Sequence, residues 1–143
     1  MKKILMASAL LVACSAYAQS SPAGTWKTID DDGKTEKSLV KISESGGVFT
    51  GAIDTVFDKS KADAVCTKCD GDRKDKPIIG LQIIRGVKAD GDNNWAGGTI
   101  VDPVSGKEYK VKMSLKDGGR KLDVRGYIGI AALGRTQTWI RAE

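Results

Sequence analysis

From Tyr109 to Leu115 the chain alternates strictly: Tyr109, Val111, Met113 and Leu115 are apolar, and Lys110, Lys112 and Ser114 between them are polar. A two-residue period is what an extended strand with one dry and one wet face requires. The same pattern recurs, less strictly, in eight segments, around 23–29, 36–44, 48–56, 80–88, 94–102, 107–115, 120–127 and 135–142. Helical periodicity is nearly absent, so the pattern predicts an all-β domain.

The segments are separated by turn chemistry. Asp30-Asp31-Asp32-Gly33, Ser45-Gly46-Gly47, Asp90-Gly91-Asp92-Asn93, Asp102-Pro103 through Gly106, and Asp117-Gly118-Gly119 carry residues that tolerate positive φ or initiate turns. Gly51, Gly86, Gly97, Gly98 and Gly126 fall inside strand segments instead. Interior glycines weaken a flat sheet but serve a small barrel, where strands must bend sharply. Eight short strands on tight turns predict an antiparallel up-and-down barrel, which leaves no sheet edge exposed. A β-sandwich is the competing arrangement.

In such a barrel, alternate connections share an end. The second, fourth and sixth (45–47, 89–93 and 116–119) are short and contain glycine. The third, about 57–79, is the longest irregular stretch. The seventh, Ile128-Gly129-Ile130-Ala131-Ala132-Leu133-Gly134, is apolar where a hairpin tip is usually polar. Both belong to the same mouth, and loops on a rigid scaffold are where binding resides.

The first residues change the compartment. Met1-Lys2-Lys3 is followed by an apolar run from Ile4 to Ala13, broken only by Ser8, and by Ala16-Tyr17-Ala18. That is the three-part pattern of a signal peptide cleaved after Ala18, leaving residues 19–143 as one domain. The run is too short for the ~20 apolar residues of a membrane-spanning helix, and the competing assignment is a buried N-terminal helix. Export predicts a periplasmic or secreted protein. Leu11-Val12-Ala13-Cys14 also fits a lipobox, the alternative in which Cys14 is lipidated and anchors the domain to a membrane.

Charge adds little. The chain carries 23 basic and 18 acidic residues, and Lys2 and Lys3 leave with the signal peptide. The charges alternate along the chain instead of clustering, as on a solvated surface and not a nucleic-acid-binding one. Histidine is absent, which removes the usual general base and the commonest metal ligand. Cys66 and Cys69 are the cysteines left after cleavage. In Cys66-Thr67-Lys68-Cys69 a structural disulfide is the leading assignment in an oxidising compartment. A zinc site needs further ligands, for which only Asp63, Asp70 and Asp72 are near. A redox CxxC needs a helix N-terminus, where Asp70-Gly71-Asp72 makes a turn. The acidic turns Asp30–Asp32 and Asp70/Asp72/Asp75 lack calcium-loop spacing. No nucleophile–base pair, P-loop or dinucleotide fingerprint is present, so no enzyme chemistry, cofactor or metal is expected.

Gly24-Thr25-Trp26 at the first strand and Arg141 near the end of the last resemble the lipocalin and wider calycin signature. Longer stretches resemble the exported bacterial family called domain of unknown function 2147. They are Lys76-Pro77-Ile78-Ile79-Gly80-Leu81, Asp102-Pro103 through Ser105-Gly106-Lys107, Arg125-Gly126-Tyr127-Ile128-Gly129, and Leu133-Gly134-Arg135-Thr136-Gln137-Thr138-Trp139. The resemblance implies a lipocalin-like fold in which Trp26 closes one end of the barrel and Arg141 packs across its indole; it implies no defined biochemical role. Trp139 shares a strand face with Arg141, and the pattern leaves open whether that face is the inner one.

The expected function is an exported, non-enzymatic protein that binds a small apolar or amphipathic ligand. Tyr109, Val111 and Met113 are the candidate interior ligand residues, with Ile128, Ile130 and Leu133 at the mouth. The alternative is a cell-envelope interaction module docking through its apolar mouth loop.

Overall fold

In the computed structural model the described residues are 21–142. The expected signal peptide, its cleavage point and Cys14 lie outside them. The strands are β1 (Gly24–Ile29), β2 (Glu36–Ser45), β3 (Val48–Val56), β4 (Gln82–Ala89), β5 (Asn94–Val101), β6 (Glu108–Lys116), β7 (Lys121–Tyr127) and β8 (Arg135–Arg141). Each pairs with the next and β8 returns to β1, all antiparallel, so the sheet closes into an up-and-down barrel and not a sandwich.

Side-chain alternation fills the barrel. Register places Met113 beside Trp95 and Val124, Val111 beside Gly98, and Leu122 beside Trp139 on shared faces. Val40, Ile84, Val87, Val111 and Leu122 have no accessible surface, and Met113 has 1%. A void large enough for water would leave its lining accessible, so this part of the interior is packed solid. Phe49 and Trp95 meet edge to face with ring centres 6.1 Å apart. Trp139 is also buried, and its pairing with the inward Leu122 places its face as the inner one. Curvature enters where the ladder slips, at Gly51 between β3 and β4 and around Gly97-Gly98 between β5 and β6. A Cβ on Gly98 would run into the Arg85 carbonyl and the Val87 backbone nitrogen, so only glycine lets β4 and β5 approach there.

The end carrying the second, fourth and sixth connections is plugged. Trp26 is fully buried, and its Nε1 donates to the Pro22 carbonyl at 2.7 Å. The Arg141 guanidinium lies over the indole, its Cζ 4.3 Å from the ring centre. Arg141 donates to Gly119 O at 2.7 Å and to Ala23 O and Ser21 O at 2.8 Å. One side chain thus ties the N-terminal segment, the β6–β7 connection and β8 together. Burial pulls its pKa down from the usual arginine value, but a guanidinium stays charged at any physiological pH.

The seam between β1 and β8 is short, pairing Trp26 with Arg141 and Lys27 with Ile140. Toward the open end the first connection takes over. Asp31 accepts from Gln137 Nε2 at 2.8 Å and pairs with Arg135 at 2.9 Å, while Gln137 Oε1 accepts from Trp139 Nε1 at 3.0 Å. The chain of polar contacts from Asp31 to Trp139 lies above the packed core on this side of the mouth.

That first connection is held by Asp32, whose carboxylate accepts from the Thr35 hydroxyl and from the Thr35 and Lys34 backbone N–H groups, both at 2.8 Å. These donors, the Thr35 hydroxyl foremost, lower its pKa from 3.8 to about 2. A carboxyl with a lower folded than unfolded pKa stabilises the fold fully above its unfolded value, and that contribution is lost as pH falls through the folded one. Thermal melts of the wild type are therefore expected to lose stability more steeply than Asp32→Asn between pH 4 and pH 2, the two converging at the acid end; parallel curves would contradict this role.

Candidate functional site

The site is assembled by the third connection, residues 57–81, which folds back on the outside of the barrel. Ile83 and Ile84 are adjacent in β4 yet both are buried, and alternation sends them to opposite faces. Ile84 lies inside, across from Ile100. The outer face at Ile83 and Val101 therefore needs a cover, and Cys66, Cys69 and Leu81 join both residues in one buried cluster.

Some bonds brace the cover internally and others fasten it to the barrel. Cys66 and Cys69 form a disulfide with a Cα–Cα distance of 5.4 Å, and Cys66 Sγ sits 3.3 Å from the Pro103 carbonyl. An isolated bridge pairs Val65 with Pro77. The Arg85 guanidinium grips Asp72 through two bonds of 2.7 and 3.1 Å, which holds the Asp72 carboxyl below its usual pKa. Arg73 Nε donates to Gln82 O at 2.7 Å, and its Nη1 reaches Glu108 at 3.3 Å. Gly106, at φ 72°, is the closest approach: a Cβ there would strike the Lys68 backbone carbonyl.

Where the cover meets the fifth connection (102–107) a cleft of ≈ 460 Å³ opens, lined by Lys68, Arg73, Val101, Lys107, Glu108 and Ile128 among others. It lies at the mouth, on the outside of the strands. The third, fifth and seventh connections all contribute to it, as the parity of an up-and-down barrel requires. Its wall is mixed: apolar at Val101 and Ile128, cationic at Lys68, Arg73 and Lys107, anionic at Asp70 and Glu108.

The residues proposed from sequence divide accordingly. Val111 and Met113 are inside but packed, with no surface to offer a ligand as the barrel stands. Tyr109 is half-buried, level with Ile100 near the open end of β6. Ile128, Ile130 and Leu133 are 67%, 63% and 77% exposed, and Val104 on the neighbouring turn is 78% exposed. Of the mouth trio only Ile128 lines the cleft. Trp26 and Arg141 lie at the opposite, plugged end. Sequence reasoning passed over Arg73, Lys68, Lys107 and Glu108, although the shared parity of the third and fifth connections was the available signal.

Among the described residues no three of His, Cys, Asp and Glu come together as a metal site. The carboxyls with clear shifts, Asp32, Asp58 and Asp72, all move downward under hydrogen bonds from neighbouring side chains. Such shifts hold a carboxylate ionised and do not poise it near neutrality for proton transfer.

Because Ile130 and Leu133 are exposed and lie outside the cleft, replacing both with serine is expected to change folding stability by less than about 0.5 kcal/mol. Urea unfolding checks this; a larger loss would place the loop in the core.

Comparison with known proteins agrees with this architecture. No curated protein matches the chain. A solved structure titled "Protein HP1028 from the human pathogen Helicobacter pylori belongs to the lipocalin family" superposes with a TM-score of 0.75 at 21% identity, covering 87% of this chain and 85% of that one. At that identity the likeness concerns the fold, which is lipocalin-like. A family model described as "Uncharacterized protein conserved in bacteria (DUF2147)" matches residues 24–141, from the first strand residue to the Arg141 plug. The chain belongs to that bacterial family, DUF2147.

Proposed function

We propose that this is an exported, non-enzymatic binding protein whose ligand is a small amphipathic molecule held at the open end of the barrel. The observation that carries the reading is the cleft itself, a recess of ≈ 460 Å³ that sets the exposed Ile128 and the edge of the largely buried Val101 beside Lys68, Arg73 and Lys107. The recess is open along one side, and its mixture of an apolar wall and a few polar groups is what small-molecule sites use to bind and orient. Lipocalin-like barrels are a frame on which one small ligand is commonly held. Packing of Val111 and Met113 moves the reading from the lumen to the mouth. Export is supported by the signal-peptide pattern of residues 1–18 and by the Cys66–Cys69 disulfide, a bond that persists in oxidising compartments.

Native mass spectrometry of protein recovered from its own host tests the reading. An adduct of a few hundred daltons that is removed by organic extraction is expected, in keeping with the size of the recess. Protein at the bare chain mass that also fails to take up amphiphiles added afterwards would overturn it.

A second reading, docking of the 128–134 loop onto another envelope protein, is favoured by the exposure of Ile130 and Leu133 beyond the cleft lining. The double serine variant separates the two. Docking predicts lost cross-linking to a neighbour in the envelope with ligand uptake intact, whereas unchanged cross-linking rejects docking.

A further inference from the structure

Arg73 is the one described side chain with a buried polar atom left without a partner. Its residue is 6% exposed, in a segment otherwise made of turn residues and solvated charge, Asp70-Gly71-Asp72-Arg73-Lys74-Asp75-Lys76. Nε is satisfied by the Gln82 carbonyl, and Nη1 has a long 3.3 Å contact with one oxygen of Glu108. Nη2, with two N–H donors, has no acceptor. Buried guanidinium donors are among the costliest groups to leave unpaired, and almost all buried polar atoms in folded proteins have a partner. Neighbouring Arg85 shows the difference: it holds Asp72 with two nitrogens on two oxygens.

We infer that Arg73 is an oxyanion-binding residue, and that the ligand of the mouth cleft carries a carboxylate or phosphate head which takes the fork of Nη1 and Nη2. The inference rests on the reading that this cleft holds an amphipathic molecule. Arg73 and Glu108 both line the cleft, and Arg73 also lines a second recess together with Asp72 and Arg85. In that second recess the Asp72–Arg85 pair already satisfies the cation. In the first, Glu108 makes a single bond while 55% of its side chain stays in solvent. A carboxylate held that loosely is a placeholder. Turning it outward gives both η nitrogens to an incoming head group, in the two-bond geometry that planar guanidinium and oxyanion share. Lys68 and Lys107 flank the same cleft and give it three cations against Asp70 and Glu108. The head group at Arg73 directs its apolar tail toward Ile128, at the rim formed by the exposed mouth loop.

The test compares three probes of equal chain length, dodecanoate, dodecyl phosphate and dodecanol, titrated calorimetrically below their micelle concentrations against the protein as recovered from its host. The two anions are expected to bind at least about tenfold more tightly than the alcohol, the scale of a charge-assisted pair of bonds. Arg73→Lys keeps the charge but loses the fork and should cancel most of that preference while dodecanol affinity stays within about twofold. Glu108→Gln removes the competing carboxylate and should strengthen both anions by about threefold or more, which keeps the inference testable if the Arg73 variant fails to fold. A preference for one anion over the other identifies the head group and supports the inference. Equal binding of anions and alcohol by the wild type, or an anion preference unchanged in both variants, overturns it while the cleft remains a ligand site. Failure of all three probes to bind overturns the cleft reading itself.

Discussion

Replacing Trp26 with alanine is expected to cost about 3–5 kcal/mol, the range for deleting a fully buried aromatic side chain. The ring is sealed from solvent, its Nε1 holds the Pro22 carbonyl, and its face carries the Arg141 guanidinium at 4.3 Å. Deletion leaves a cavity, a freed carbonyl and a cation that has lost its ring. Domains of this size have about 5–15 kcal/mol of stability in all, so the variant should sit near the edge of unfolding. Arg141→Lys is expected to lose about 1–3 kcal/mol, because an ammonium cannot reach Gly119, Ala23 and Ser21 in the fixed fan of a guanidinium. Urea unfolding followed through the remaining Trp95 and Trp139 measures both. A Trp26 variant within about 1 kcal/mol of wild type would show that the plug does not hold the closed end.

The second large effect is expected at Gly106. Its φ of 72° already favours glycine, and a Cβ at this position meets the backbone carbonyl and carbonyl carbon of Lys68. No rotamer change relieves a clash with main chain, so the third connection must lift from the fifth. Gly106→Ala should lose about 1–3 kcal/mol and weaken cleft ligands by more than about tenfold, since the wall carrying Lys68 and Arg73 moves with it. Gly118→Ala is the control: its φ is 62°, but nothing lies within 4 Å of the added methyl, and it sits in the connection at the plugged end. It should show the backbone penalty alone, with binding unchanged. Amide exchange across residues 62–78 together with dodecanoate titration separates the two variants. Equal binding by both would dissociate the cover from the site.

Strand positions were legible because a closed barrel imposes one constraint everywhere, an inner face of apolar residues at every second position. The β4 segment began two residues later than the pattern proposed, at Gln82 instead of Gly80. Gly80 and Leu81 exchange backbone bonds with Ile53, but the ladder slips between Gly51, Ala52 and Gln82. Period-two counting cannot place a slip, because an irregular pair leaves the hydrophobic parity ambiguous. The parity of connections did transfer, since Ile128 of the seventh faces Lys68 and Arg73 of the third across one cleft.

Arg73 was illegible for a different reason. In sequence it belongs to a run of charges of the kind that covers most soluble surfaces. It becomes buried because a 25-residue-scale connection folds back over Ile83 and Val101, a long-range event with no local periodic signature. The packing around Val111 and Met113 was hidden by the converse limit: alternation says which face is inside, not how completely opposing side chains fill it.

The central claim, that the ligand occupies the cleft outside the strands and not the lumen, is tested most directly by methyl NMR during titration with dodecanoate. The account predicts chemical-shift changes concentrated at Val101 and Ile128, with the methyl groups of Val40, Ile84 and Val111 unmoved. Saturable shifts centred on Val40, Ile84 and Val111, with Val101 and Ile128 silent, would contradict it and return the ligand to the barrel interior.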